Sequence, residues 1–258
     1  MDVTLDSPLA GGGASRIRVR DLAGAGVPVV HLHGGWGYDI YPVDAAALPG
    51  ARLVIPDRTG YGASTAIDAL PPRFHEAAAI ETERLLDALG IDRCVVWGHS
   101  DGAVIAALLG LRDPARYRGL VLEAIHVDRA KPGSRQFFTD MAEDPTRFGP
   151  RVAAVLHGDH GDRWQDVLRM GGRAWLAIAA RPDDDFYGGR LAALAPPVLI
   201  VHGADDPRTE PGELDALRRA LPAAELAILP DGGHCPHAHP RTAAEVTARI
   251  GAFVAALP

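Results

Sequence analysis

Gly98-His99-Ser100-Asp101-Gly102 follows the apolar run Cys94-Val95-Val96-Trp97 and precedes Ala103-Val104-Ile105-Ala106-Ala107-Leu108-Leu109, a stretch of helical character. Strand, Gly-x-Ser-x-Gly and helix in that order turn the chain so sharply that the serine is held strained at the bend, its hydroxyl exposed above a sheet. Small residues must flank it, because bulk there would strike the adjoining strand or helix. A serine hydroxyl is a poor nucleophile alone, so this reading requires a base and an acid further along the chain.

Working outward, apolar runs and helical spacings alternate. Residues 3–5 and 17–19 read as short opening strands, and 27–33 and 52–55 as buried parallel strands. Residues 93–97 form the strand before the serine, and 119–125, 197–201 and 225–229 continue the series. Residues 74–89 have helical spacing and stop at Gly90, and 213–220 and 243–256 also read as helices. Such repeated units predict an α/β fold: a mostly parallel eight-stranded sheet with helices on both faces. The rhythm fails over 126–195, where helical pieces at 151–156, 163–170 and 173–178 are separated by Pro, Gly and Asp. An insertion of that length after the sixth strand is too long for a loop. It is expected to be a helical cap over the strand ends, where open α/β sheets bind ligands, with 1–125 and 196–258 forming the core.

Two later loops offer the acid and the base. Val201-His202-Gly203-Ala204-Asp205-Asp206-Pro207 ends one strand with two carboxylates, and Asp231-Gly232-Gly233-His234-Cys235-Pro236-His237 follows another. Ser, Asp, His is the chain order this turn geometry requires. His234 would take the serine proton and pass it to the leaving group, while the aspartate holds the imidazole in its working tautomer. An oxyanion hole needs two backbone N–H donors. One is expected from Asp101, the other from the turn His33-Gly34-Gly35-Trp36, with Gly35 first and Trp36 second.

Together with His33-Gly34-Gly35 after the third strand and Asp57-Arg58-Thr59-Gly60-Tyr61-Gly62-Ala63-Ser64 after the fourth, these are five motifs in register. They span nearly the whole chain, which resembles an α/β-hydrolase with a serine nucleophile. The resemblance implies Asp206 as the acid, three residues after the glycine that ends its strand. Asp205 then reads as a solvated loop residue, and Glu123 or Asp128, after the preceding strand, is the alternative some relatives use. Gly-x-Ser-Asp-Gly is also similar to the valacyclovir hydrolase-like branch, where the equivalent aspartate is implicated in binding a substrate ammonium. A carboxylate beside an oxyanion hole opposes the charge forming there unless a cation intervenes. The competing role for Asp101 is simple stabilisation of the helix start.

The expected function is a cofactor-free serine hydrolase of a small carboxylic ester, in its specific form an α-amino acid or other amine-bearing ester. Hydrolysis of a lactone, a thioester or a carbon–carbon bond, or a non-hydrolytic cyclase or ligand receptor, are the alternatives. Asp101, Trp36, Tyr61, Trp164 and Trp175 are the expected substrate-binding residues.

Composition bounds the rest. A chain of 258 residues, 47% hydrophobic, suits one large core. A net charge of −7 argues against a nucleic-acid partner. No apolar run approaches the roughly 18 residues of a membrane span, and the N-terminus lacks the layout of a secretory signal. Two cysteines make no disulfide framework. A cytoplasmic monomer or homodimer with a small-molecule substrate and no membrane partner is therefore expected. His157-Gly158-Asp159-His160 reads as a turn, and neither it nor the His234, His237, His239 cluster has zinc-ligand spacing, so no metal is expected. Asp183, Asp184 and Asp185 read as a solvated loop, and Cys235 as a site for a thiol reagent.

Overall fold

The computed structural model describes residues 1–45, 48, 50–181 and 185–257, so Asp183 and Asp184 lie outside the described residues. The strands are β1 (Asp2–Asp6), β2 (Ala14–Leu22), β3 (Pro28–Leu32), β4 (Arg52–Pro56), β5 (Cys94–His99), β6 (Tyr117–Glu123), β7 (Val198–Gly203) and β8 (Glu225–Leu229). They form one eight-stranded sheet in the order β1-β2-β4-β3-β5-β6-β7-β8. The β1/β2 and β2/β4 pairs are antiparallel and all others parallel. The expected fold class is thus the observed one. Strand β2 is longer than its apolar pattern suggests, because Arg16 and Arg18 point to solvent between buried Ser15, Ile17 and Val19.

The period of two along β5 explains the two-sided core. Cys94 and Val96 join the cluster under α1 (Phe74–Ala88) and α2 (Asp101–Arg112). Val95 and Trp97 join the opposite cluster, with Val246 and Ile250 of the C-terminal helix 243–256. Helix α1 ends where expected, with Gly90 in the left-handed region at φ 64°.

Between β6 and β7 the described residues form no strand but three α-helices joined by short 3-10 turns: α3 (Arg135–Glu143), α4 (Gly149–His160) and α5 (Trp164–Ala179). The first was not foreseen, and the pieces expected at 163–170 and 173–178 are one continuous helix. Gly171-Gly172 does not break it. A Cβ on Gly172 would lie 2.6 Å from Ala142 N and 2.7 Å from Phe138 O, so glycine lets α5 lie directly against α3. His157–His160, expected as a turn, is the last turn of α4. Two more helices, α6 (Glu213–Ala220) and α7 (Ala243–Ala256), complete the fold. Among the described residues no helix is long and apolar enough to cross a membrane.

The junction of β5 and α2 is the tightest point. A Cβ on Gly98 would sit 2.0 Å from Gly102 O, and one on Gly102 would sit 1.9 Å from Leu32 O. Neither contact can relax without moving backbone. Gly98→Ala is therefore expected to cost more than about 4 kcal/mol, read as loss of soluble protein or of the cooperative thermal transition.

Candidate active site

Ser100 lies between β5 and α2 at φ 55°, ψ −117°. For a residue with a side chain such a conformation costs about 1–3 kcal/mol and persists only where its surroundings impose it. Here they do: Ser100 N donates to Glu123 O at 2.9 Å, and the two glycines lock strand to helix. The loops after β7 and β8 arrive above it. Ser100 Oγ is 3.1 Å from His234 Nε2, and His234 Nδ1 is 2.9 and 3.0 Å from the two oxygens of Asp206. Burial would raise the Asp206 carboxyl, but the charge and hydrogen bond of His234 outweigh it and hold it down at about 2. The neighbouring Asp205 accepts from Gly233 N at 2.8 Å, tying the two loops together.

The alternative acids are engaged elsewhere. Asp128 caps a turn, accepting from Ala130 N at 2.8 Å. Glu123 accepts from Trp97 Nε1 at 2.9 Å and from His237 N and Nδ1 at 2.9 and 2.8 Å. His237 Nε2 faces Tyr41 O at 3.0 Å, so both ring nitrogens meet acceptors and the ring is an imidazolium. Burial alone would raise Glu123, yet the His237 charge wins and its carboxyl sits at about 2 instead of the usual 4.5. A depressed carboxyl stabilises the fold above its unfolded value and loses that effect as pH falls through the folded one. Glu123→Gln should thus lower Tm near neutral pH and flatten the fall in Tm between about pH 5 and about pH 2.

The turn after β3 is held from behind. Arg58 donates from Nη2 to Gly34 O at 3.0 Å and from Nη1 to His33 O. In a trans peptide the N–H points opposite the preceding C=O, so this grip aims the Gly35 amide away from the guanidinium. One residue pair on, His160 donates from Nε2 to Trp36 O at 2.9 Å and accepts from Gly62 N at Nδ1, also at 2.9 Å. Among the described residues the amides of Gly35 and Trp36 donate to no protein acceptor. A Cβ on Gly35 would lie 2.9 Å from Asp101 Oδ2, so only glycine allows that close approach.

A cavity of about 420 Å³ opens over Ser100, walled by Trp36, Phe137, Phe138, Met141 and Trp175, with Asp101, His126 and Arg208 among its polar residues. Two expected wall residues are absent from it. Tyr61 is 1% exposed, buried against His33 with the Arg58 guanidinium over its ring. Trp164, at the start of α5, also falls outside the lining. Asp101 does line the cavity, but its Oδ1 accepts from His75 Nε2 and from Trp175 Nε1, each at 3.0 Å. Burial works against its charge, and the hydrogen bond from His75, helped by the nearby Arg58 charge and the Trp175 N–H, more than compensates, keeping the carboxyl below its ordinary value. It ties α1 and α5 to the start of α2.

Sequence reasoning missed His126 and Arg208. His126 Nε2 lies 3.3 Å from Ser100 Oγ, and its ring lies nearly parallel to that of His234, centroids 5.7 Å apart. Burial pushes its pKa well down, so it is a neutral imidazole. Neither residue belongs to a motif; only their position on loops following β6 and β7 was a signal. Cys235 is buried and its thiol is pushed well up by burial, which makes it a poor target for a thiol reagent.

Residues 29–246 match the sequence model of the Alpha/beta hydrolase family, and the chain belongs to that family. Its relatives are hydrolases. A 2-hydroxy-6-oxononadienedioate/2-hydroxy-6-oxononatrienedioate hydrolase of Paraburkholderia phymatum is 28% identical, the match covering 89% of this chain and 87% of that protein. The human serine hydrolase BPHL is 24% identical over 70% of this chain and 62% of its own length. A thermophilic esterase from Thermogutta terrifontis has the same fold at 24% identity, TM-score 0.68, with 98% of this chain and 99% of that one covered. The enol-lactonase from Burkholderia xenovorans does so at 18% identity, TM-score 0.72, covering 98% and 100%.

Proposed function

We propose that the protein is a serine hydrolase that cleaves a small carboxylic ester through an acyl-enzyme. The observation that carries this reading is the unbroken relay from Ser100 Oγ to His234 Nε2 at 3.1 Å and from His234 Nδ1 to Asp206 at 2.9 Å, opening on a largely apolar cavity. Ser100 Oγ attacks the carbonyl carbon while its proton passes to His234. The ester C–O bond then breaks, and the departing alkoxide takes that proton. Water, deprotonated by His234, releases the acid. The amides of Gly35 and Asp101, with Trp36 as the alternative donor, receive the oxyanion. His126, neutral and protonated on Nε2, donates to Oγ as the serine gives up its proton. Helices α3–α5 act as the cap that walls the cavity.

An amine on the substrate is not required to hold Asp101 in place, because its Oδ1 already accepts from two donors within the protein. An α-amino acid ester and its des-amino twin should therefore show kcat/KM values within about threefold of each other. A preference for the amine of about tenfold or more, lost in Asp101→Asn, would restore the ammonium-anchor role. The hydrolase reading itself is tested with a p-nitrophenyl ester at enzyme concentrations comparable to substrate. A burst of nitrophenol and an acyl group mapped to Ser100 are expected. Absence of both, with no labelling by a fluorophosphonate, would assign the chain to the non-hydrolytic members of the fold.

A further inference from the structure

We propose that Arg208 is a carboxylate-recognition residue of this cavity, so that the preferred ester carries a carboxylate group remote from the bond that is cleaved. The inference rests on the hydrolase reading above and adds a substrate class to it. Arg208 borders the same cavity as Ser100 and His234. Among the described residues its guanidinium makes no ion pair and no hydrogen bond. The two carboxylates nearby are hydrogen-bonded within the protein: Asp101 accepts at Oδ1 from His75 and Trp175, and Asp206, behind the cavity wall, accepts from His234.

The guanidinium is nevertheless held in place. Its carbon stands 3.4 Å from the centre of the Phe137 ring, and Phe137 in turn stacks on Trp36 at 5.5 Å and 14°. Stacking on an aromatic face leaves the edge of the guanidinium, where its N–H groups lie, free to meet a planar anion in a two-pronged pair. The backbone beneath is pinned on both sides. Arg208 N donates to Asp206 Oδ1 at 2.8 Å, and Arg208 O accepts from Lys131 Nζ at 2.8 Å. Lys131, fully buried, is itself paired with Glu213 at 2.5 Å. A flexible surface arginine needs none of this support. A fixed cation whose guanidinium pairs with no carboxylate among the described residues, and which feels Asp206 only through space, selects an anion at the edge of an otherwise aromatic cavity. The acyl-enzyme chemistry leaves the remote carboxylate untouched; it serves only to bind and orient.

The test compares the monoethyl esters of succinate, glutarate and adipate with neutral twins in which the free carboxylate is replaced by methyl. Hydrolysis is followed by pH-stat for the wild type, Arg208→Gln and Arg208→Lys. At one chain length or more, the wild type should prefer the half-ester by at least about tenfold in kcat/KM. That ratio should collapse toward one in Arg208→Gln and survive in part in Arg208→Lys. Equal rates for the pair at every length, or a preference that persists in Arg208→Gln, would overturn the proposal. Calorimetric titration of Ser100→Ala with the three dicarboxylates separates the two readings, since it needs no turnover. Binding that weakens at least about tenfold when Arg208→Gln is added supports the carboxylate site even if no ester is cleaved. No binding of any dicarboxylate to Ser100→Ala overturns it even if neutral esters are cleaved.

Discussion

Ser100→Ala is expected to lower kcat/KM for any ester the protein cleaves by about 10⁴- to 10⁶-fold and to abolish fluorophosphonate labelling. The size follows from the role: no other oxygen sits within reach of His234 Nε2 among the described residues, so the covalent route is closed rather than slowed. The variant should fold. Alanine at φ 55° is strained to about the same degree as serine, and the bond that fixes the bend, from the residue 100 amide to Glu123 O, belongs to the backbone. Only two side-chain hydrogen bonds of Oγ are lost, to His234 and to His126, and both partners border the cavity, where water can replace the hydroxyl. A thermal midpoint close to that of the wild type should accompany the loss of activity. Retained turnover with retained labelling would place the nucleophile elsewhere.

The parts of this molecule that could be read from sequence are those whose signal is local. The bend at Ser100 needs glycines two residues before and after it, and strands β3 to β8 needed only apolar runs of the right length. The loops holding Asp206 and His234 each follow a strand, so their arrival over one end of the sheet comes with the topology. What escaped reading depends on contacts between distant segments. Gly171-Gly172 looks like a helix break until α3 lies against it. Asp101 looks like a free carboxylate until His75, from α1, and Trp175, from α5, are brought to the same oxygen. Tyr61 sits in a motif loop, yet that loop turns it toward His33 and away from the cavity. His126 and Arg208 carry no pattern in the chain; a neutral imidazole at the serine oxygen and a guanidinium lying on Phe137 exist only once the fold does.

Asp206→Asn should lower kcat by about 10⁴-fold near neutral pH with little change in KM. Asp206 lies outside the residues that line the cavity, so substrate binding has no direct contact to lose. Its carboxylate accepts the Nδ1 proton of His234 and thereby leaves Nε2 unprotonated toward Ser100. An asparagine can turn its NH₂ to Nδ1 instead. The imidazole then carries its proton on Nε2, facing the serine, and is no base. The side chain can still accept from Arg208 N, so the loop should hold its shape. Asp205→Asn is the matched control: among the described residues its carboxylate meets only Gly233 N, a bond that an amide oxygen can equally accept. That variant should keep kcat within about threefold. The reverse pattern, with Asp205→Asn crippled and Asp206→Asn active, would require the loop after β7 to turn over in solution. Loss in neither would hand the orienting role to Glu123, which could reach His234 only by giving up His237, the cation that keeps it charged in the core.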